Sequence, residues 1–324
     1  AWAEALAPLV AQLRPEVIHV DSGHRGFDSA LVALAVGRAA RVPVVYEVRG
    51  FFESLWTSDR SIAERGETFE RRRATEARCM RAADAVVTLS ESMREEIIAR
   101  GARAEAVAVV PNAVNPETFP QESRNVGLAA RLGLHGRFVF GYISNMDHPR
   151  EGHELLIQAG LLLKERGVAA SVLVVGEGRR RAELEALATQ LGMADDVIFT
   201  GGIPHGEVQS YYRLCDVFVV PRIDERAARL VTPLKPYEAM ALGIPLVVSD
   251  LPALREVVGD GSRGALFSAG SAESLADALD DARCHPQESL RKALAAREWV
   301  RAHRTWANNA TAYQKLYEYV ASTN

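Results

Sequence analysis

Val217–Val258 reads VFVVPRIDERAARLVTPLKPYEAMALGIPLVVSDLPALREVV, and this stretch decides the fold. Val217–Val220 is a short apolar run closed by Pro221, the pattern of a buried strand. A loop follows that carries Arg222, Arg226 and Arg229. Thr232-Pro233 predicts a helix start, because Thr caps well and Pro suits the first turn. Lys235 and Glu238 lie three apart on that helix and share a face. Gly243 predicts its end, and Pro245–Ser249 the next buried strand. Strand, loop, helix N-terminus and strand together aim backbone N–H groups and a helix dipole at an anion. Lys235 adds a point charge for phosphate. Glu238, one turn deeper, is placed to accept hydrogen bonds from sugar hydroxyls.

Outward from here the alternation continues in both directions. Upstream, Arg137–Ile143, Ser171–Val175 and Val197–Thr200 read as strands, with the helix Arg181–Leu191 between two of them. The loop after Ile143 begins Ser144-Asn145. The loop after Val175 is GEG, in which Gly176 and Gly178 permit close backbone approach to a ligand. Farther upstream, Val17–Val20, Val42–Val48, Ala85–Leu89 and Val107–Val110 are strands. Asp28–Arg41, Ile62–Arg81 and Glu91–Arg100 are helices, the last capped by Ser90 and stopped by Gly101. Pro116 and Pro120 mark a linker at about Asn115–Arg124. Ligands of α/β folds sit at the C-terminal ends of strands. Arg49, Glu53 and His24 follow such ends and are site candidates. The bland readings are a local ion pair of Glu47 and Glu53 with Arg49, and a solvated loop position for His24. Ile62–Arg81, with ERRRATEAR at its centre, reads as a solvated, salt-bridged face rather than a basic lipid-binding surface. In the last helix Trp306, Tyr313, Leu316 and Tyr319 have the spacing of packing residues.

The Val217–Val258 stretch resembles the donor site of retaining glycosyltransferases of family four, which have two Rossmann-like domains facing across a cleft, the GT-B fold. Further resemblances are YEVRGFFE, ADAVVTLSE and VPNAVN. The variant TPLKPYEAMA is similar to a bacterial branch associated with exopolysaccharide and cell-surface glycans. The family shows two Glu eight positions apart; the second is Glu238, and Leu230 stands where the first would be. Most members carry an Arg and a Lys after the strand that ends at Ile143, whereas Ser144 and Asn145 occupy the tight turn here and Glu151 takes the Lys position. Glu151 therefore points at a sugar hydroxyl, an Arg or solvent. Arg222, Arg229 or Lys235 replaces the lost charge.

The resemblance implies a nucleoside-diphosphate sugar as donor and a glycan or lipid-linked acceptor. It implies catalytic roles for Arg49 and Lys235. It implies donor contacts from Ser144, Asn145, Gly176, Gly178, Gly202, Ile203, Arg222, Arg229, Thr232, Leu234, Lys235 and Glu238, with the backbone at Gly202 and Ile203 holding the base. His24 and Glu53 are the acceptor-side candidates. The expected division is an incomplete amino-terminal domain over 1–122, a donor domain over 123–300 and a helix over 301–324 crossing back. The family's earlier strand–helix units are absent before Val17: truncated, supplied elsewhere or shed. The uncovered strands then predict an oligomer, a companion chain or a mobile first domain. The alternative reading is a nucleotide-binding subunit without catalysis of its own.

Composition sets the remaining bounds. The chain has 324 residues, 48% hydrophobic and 25% charged, with a net charge of −4. Length fits two domains, and charge gives no reason to expect a nucleic-acid partner. Cys79, Cys215 and Cys284 have no metal or disulfide spacing, consistent with a cytosolic location, at most at the inner membrane face. No Asp-x-Asp follows a strand, so neither a metal nor another cofactor is expected.

Overall fold

The computed structural model describes residues 2–22, 27–56, 62–120 and 122–323, with no side-chain description for Leu55 and Trp56. The chain forms two compact units, Ala1–Pro111 with Ala307–Asn324, and Asn112–Trp306. Asn115–Arg124, the expected linker, falls inside the second unit. Among the described residues no helix is long and apolar enough to cross a membrane.

The first unit holds α1 (Trp2–Leu13), β1 (Ile18–Asp21), α2 (Asp28–Ala40), β2 (Val44–Val48), α3 (Gly66–Ala82), β3 (Ala85–Thr88), α4 (Glu91–Ala99) and β4 (Val107–Val109). Its sheet is parallel in the order β1-β2-β3-β4, with β1 at one edge. β2 and β3 are buried along their whole length. That is why they read as unbroken apolar runs: a parallel sheet is covered on both faces. Ser90 caps α4 as its sequence predicts, its Oγ accepting from the Met93 N–H at 3.1 Å.

The second unit holds α5 (Val126–Arg131), β5 (Phe138–Ile143), α6 (His153–Glu165), β6 (Ala170–Val175), α7 (Arg181–Gln190), β7 (Val197–Phe199), α8 (Val208–Tyr212), β8 (Val217–Val220), α9 (Arg226–Leu230), α10 (Lys235–Leu242), β9 (Leu246–Ser249), α11 (Pro252–Val258), β10 (Ala265–Phe267), α12 (Ala272–Cys284) and α13 (Pro286–His303). The six strands are parallel in the order β10-β9-β8-β5-β6-β7. The chain winds outward from β5 to β7, then returns to β8 on the other side. Strand order therefore reverses between β5 and β8, which opens a crevice at their C-terminal ends. Two parallel, Rossmann-like sheets result, the α/β class expected from the sequence.

The final helix, α14 (Trp306–Ser322), covers the sheet of the first unit. Tyr313, Leu316, Tyr317 and Val320 pack there with Val45, Ala85, Val87 and Val110. Trp306 and Tyr319, expected in the packing face, are instead half exposed at 50% and 55%. Val320 and Tyr317 hold the positions one residue round the helix.

α3 also departs from its sequence reading. It begins at Gly66 rather than Ile62, and it is not solvated all round. Glu76 is buried, and Arg100 reaches it from the end of α4. The Arg100 guanidinium donates to Glu76 Oε2 at 3.2 Å, to Glu53 Oε1 at 2.5 Å and to Glu96 Oε1 at 2.9 Å. It also lies 4.3 Å from the centre of the Phe51 ring. Burial, and then the neighbouring Glu53 charge, push the Glu76 carboxyl up to about 8. Its folded value thus exceeds its unfolded one. The stability it contributes is complete below the ordinary Glu range and is lost as pH rises through about 8. Glu76→Gln should therefore gain on the parent protein in denaturant midpoint between pH 5 and pH 8.5. Arg100→Leu should cost about 3–5 kcal/mol near neutral pH, since it removes the Arg100 counter-charge from the buried Glu53 carboxylate. Denaturant unfolding at the two pH values checks both; a parallel pH dependence of Glu76→Gln and parent would refute the first.

Candidate functional site

The crevice of the second unit is lined by the loops that leave β5 and β8. After β5 the chain turns through Ser144 and Asn145 and enters α6 through Gly152. Gly152 has a φ of +71°, and a Cβ there would sit 1.9 Å from the Pro221 carbonyl oxygen, so the loop touches the end of β8 directly. A Cβ on Gly176, at φ +137°, would sit 2.1 Å from the Ser144 carbonyl oxygen, and one on Gly178 2.4 Å from the Met146 carbonyl carbon. These glycines bring the loops after β5 and β6 and the end of β8 together, and the Asn145 Oδ1 accepts from the Asp147 N–H at 2.5 Å.

Ser144 Oγ meets His153 Nε2 at 2.8 Å. His153 is wholly buried, and burial pulls its pKa down to about 4, so the imidazole is neutral near pH 7. Glu151, the charge reversal in this loop, turns to an Arg. Arg222, directly after β8, donates to Glu151 Oε1 at 3.1 Å and Oε2 at 3.3 Å, and to the Val231 carbonyl at 3.1 Å. The Tyr142 hydroxyl donates to the same carboxylate at 2.6 Å. Burial alone would raise the Glu151 pKa, but Arg222 and the Tyr142 hydrogen bond outweigh it and hold it below the usual range. Arg222 is consequently a neutralised cation. Arg229 is exposed and donates to Asp224 at 2.7 Å.

The helix expected to start at Thr232 starts later. α10 begins at Lys235 with Pro236 in its first turn, and Leu234 is its N-cap without a side-chain bond. Thr232 is buried, and its carbonyl accepts from Asn112 Nδ2 at 2.8 Å, so that backbone is held outside the helix. Asn112, which reads as a turn residue, is thus a buried tether. Leu234 is 39% exposed. Lys235 is half-buried and has no ion pair or hydrogen bond among the described residues. In particular, no bridge joins it to Glu238. Glu238 Oε2 accepts from the hydroxyl of Tyr212 at 2.5 Å. Among the described residues its Oε1 has no partner, and it is not sealed from solvent. In the loop after β7, Gly202 donates its N–H to Glu177 Oε1 at 3.2 Å, and Ile203 packs partly on the core.

The candidates of the first unit are held in networks of their own. Arg49 donates to Glu47 Oε1 at 2.6 Å, the local ion pair that its sequence offered. Glu47 Oε2 also meets His19 Nε2 and the Tyr313 hydroxyl, each at 2.9 Å. Burial works against it, yet these three donors bring the Glu47 pKa down to about 2. Glu53 is buried against Arg100, turned inward rather than offered to an acceptor. His24 lies outside the described residues. Tyr142, Tyr212 and His153 were not singled out by sequence. Each reads as a core residue, and their polar atoms acquire a role only from Glu151, Glu238 and Ser144.

Residues 130–299 match the family of group 1 glycosyl transferases, and residues 1–113 match a glycosyl transferase 4-like domain. A 2-deoxystreptamine glucosyltransferase from Streptomyces kanamyceticus is 29% identical over 231 residues, which are 70% of this chain and 58% of that protein. A GDP-mannose-dependent alpha-(1-6)-phosphatidylinositol monomannoside mannosyltransferase from Mycolicibacterium smegmatis is 27% identical over 237 residues, 72% of this chain and 62% of that protein. The chain thus spans about three-fifths of the length of either relative. The crystal structure of HepE from Anabaena in complex with UDP superposes with a TM-score of 0.79 at 21% identity, covering 98% of this chain and 83% of HepE. With a family match across more than half of the chain, on two parallel Rossmann-like units, this chain belongs to the group 1 glycosyltransferases of family four and has the GT-B class of fold.

Proposed function

We propose that this chain takes part in retaining sugar transfer from a nucleoside-diphosphate sugar to a glycan, lipid-linked or other cell-surface acceptor. The observation that carries the reading is the pairing, on α10, of an uncommitted ammonium with a carboxylate that keeps one oxygen open. Lys235 stands at the first turn, where its own N–H and that of Leu234 have no partner among the described residues. Pro236 has no N–H, those of Tyr237 and Glu238 donate to the Leu234 carbonyl, and the helix dipole favours an anion. A leaving diphosphate would meet the ammonium, these two N–H groups and the dipole there, and Lys235 would stabilise the charge that develops on it. This scheme asks for no metal. Glu238 would hold the ribose, while Ser144, Asn145 and the glycines Gly176, Gly178 and Gly202 would shape the backbone around the nucleotide. Thr232, Leu234 and Ile203 would line it. Arg222 would act through Glu151 and Arg229 at the rim. Arg49 would act on the acceptor side. UDP in the HepE structure and GDP-mannose in the name of the mycobacterial relative make these two nucleotides the first to test.

The pairing of Arg222 with Glu151 favours a second reading, since it removes one cation from phosphate binding. On that reading the chain binds nucleotide and turns nothing over without a partner or a further segment. Binding of UDP or GDP with neither transfer nor donor hydrolysis would select it.

Lys235→Ala should weaken diphosphate binding roughly tenfold or more, because a charge-assisted contact is worth about 1.5–3 kcal/mol. The free nucleoside, which lacks phosphates, should lose less. Glu238→Gln should weaken nucleoside and diphosphate alike. A surface Lys–Glu pair would be worth only about 0.3–0.5 kcal/mol and would be indifferent to ligand. Calorimetry with uridine, guanosine, UDP and GDP distinguishes these, and unchanged affinities for all four would place the site elsewhere. Transfer from UDP- or GDP-sugars should also survive EDTA. A complete loss restored by Mg²⁺ or Mn²⁺ would overturn the assignment of Lys235 as the group that stabilises the leaving diphosphate.

A further inference from the structure

Tyr212 ends α8 and is wholly buried. Its ring lies 4.8 Å from that of Phe218 on β8, tilted by 45°, inside the core of the unit. A close-packed core holds such a ring in a single rotamer. The hydroxyl is therefore delivered to one fixed point, and at that point it donates to Glu238 Oε2 at 2.5 Å. Among the described residues it has no other hydrogen-bond partner. Burial, and then the Glu238 charge, drive its pKa well above the ordinary tyrosine value, so it stays a proton donor through the neutral and mildly alkaline range. An ionised carboxylate offers about four lone-pair sites. Tyr212 fills one and fixes the plane of the group. The open Oε1, with the remaining site on Oε2, then faces a ligand in one orientation.

A carboxylate held in one plane is matched to two adjacent hydroxyls, each of which donates to it. We infer that Tyr212 is a positioning residue, which clamps Glu238 so that it reads the 2′,3′-diol of a ribose. The site then distinguishes a ribonucleoside diphosphate from its 2′-deoxy counterpart. This rests on the proposed placement of the nucleotide at α10. Tyr212 touches no ligand itself. Without its hydroxyl, Glu238 keeps its charge but turns freely, and ordering it must then be paid for by the ligand.

The test is calorimetry of the parent chain, Tyr212→Phe and Glu238→Gln with UDP, 2′-deoxy-UDP, GDP and 2′-deoxy-GDP. Thermal unfolding of each variant confirms that it is folded. The parent should bind one of the ribonucleotides roughly tenfold more tightly than its deoxy form, the value of one hydrogen bond to a charged group. In Tyr212→Phe that preference should shrink severalfold, because ribonucleotide binding, which uses both hydroxyls, weakens more than binding of the deoxy form, which keeps only the 3′-hydroxyl contact. A merely structural Tyr212 would weaken both forms equally and keep the preference, which would overturn the inference. Should Tyr212→Phe fail to fold, Glu238→Asp withdraws the carboxylate from the hydroxyl and keeps its charge; an intact ribose preference there would be equally fatal. Glu238→Gln separates this inference from the reading beneath it. If Glu238→Gln abolishes the preference and Tyr212→Phe leaves it unchanged, only the role of Tyr212 falls. If Glu238→Gln leaves it intact, the placement of the ribose falls too.

Discussion

The buried contact of Arg222 with Glu151 organises the crevice of the second unit. Two charges removed from water are tolerated only when paired and hydrogen-bonded. Here the pairing joins the segment after β8 to the loop between β5 and α6, across the point where strand order reverses. Tyr142 from β5 adds a third anchor. The loop must then pass close under Pro221, which only a residue without a side chain at position 152 permits. Its path also sets Ser144 against His153 and against Gly176. The electrostatic consequence matters as much as the mechanical one. Arg222 is neutralised in place, and Arg229 is met by Asp224. Of the three cations considered for phosphate, Lys235 alone lacks a counter-charge among the described residues.

How much was legible in the sequence depends on where burial comes from. FVFGYI, VVYEV and VFVV stand out because strands of a covered parallel sheet are apolar on both faces. The helix ends were readable because Ser90, Gly101 and Gly243 cap or stop helices through local bonds and left-handed backbone. Features that depend on distant partners were not readable. A helix reading ERRRATEAR looks solvated until Arg100, on another helix, turns inward to Glu76. The Arg222–Arg229 loop looks like a phosphate clamp until Glu151, 71 residues earlier, is brought to Arg222. Thr232-Pro233 has the local chemistry of a helix start, but the Thr232 carbonyl is bound by Asn112 and the helix begins only at Lys235. Tyr212 looks like packing, and by burial it is; only its last atom does anything else.

A physical criterion separates polar groups satisfied by the protein from those left open to a ligand. Glu47 and Glu238 are both carboxylates of parallel α/β units, both served by a tyrosine hydroxyl. Glu47 has three donors, His19, Arg49 and Tyr313, and these bring its pKa down to about 2. Its capacity to accept is filled by the protein, and a ligand could engage it only by displacing one of them. Glu53 and Glu151 are likewise turned to arginines in the interior. Among the described residues Glu238 has one donor, its Oε1 has none, and Lys235, three residues earlier on the same helix, has no partner. A folded protein rarely leaves polar valence unfilled where a partner is within reach. The unfilled acceptor and the unclaimed cation share the first turn of one short helix, at the crevice side of a doubly wound sheet. That coincidence, rather than the density of arginines in the preceding loop, is the reason for placing the proposed donor site at α10.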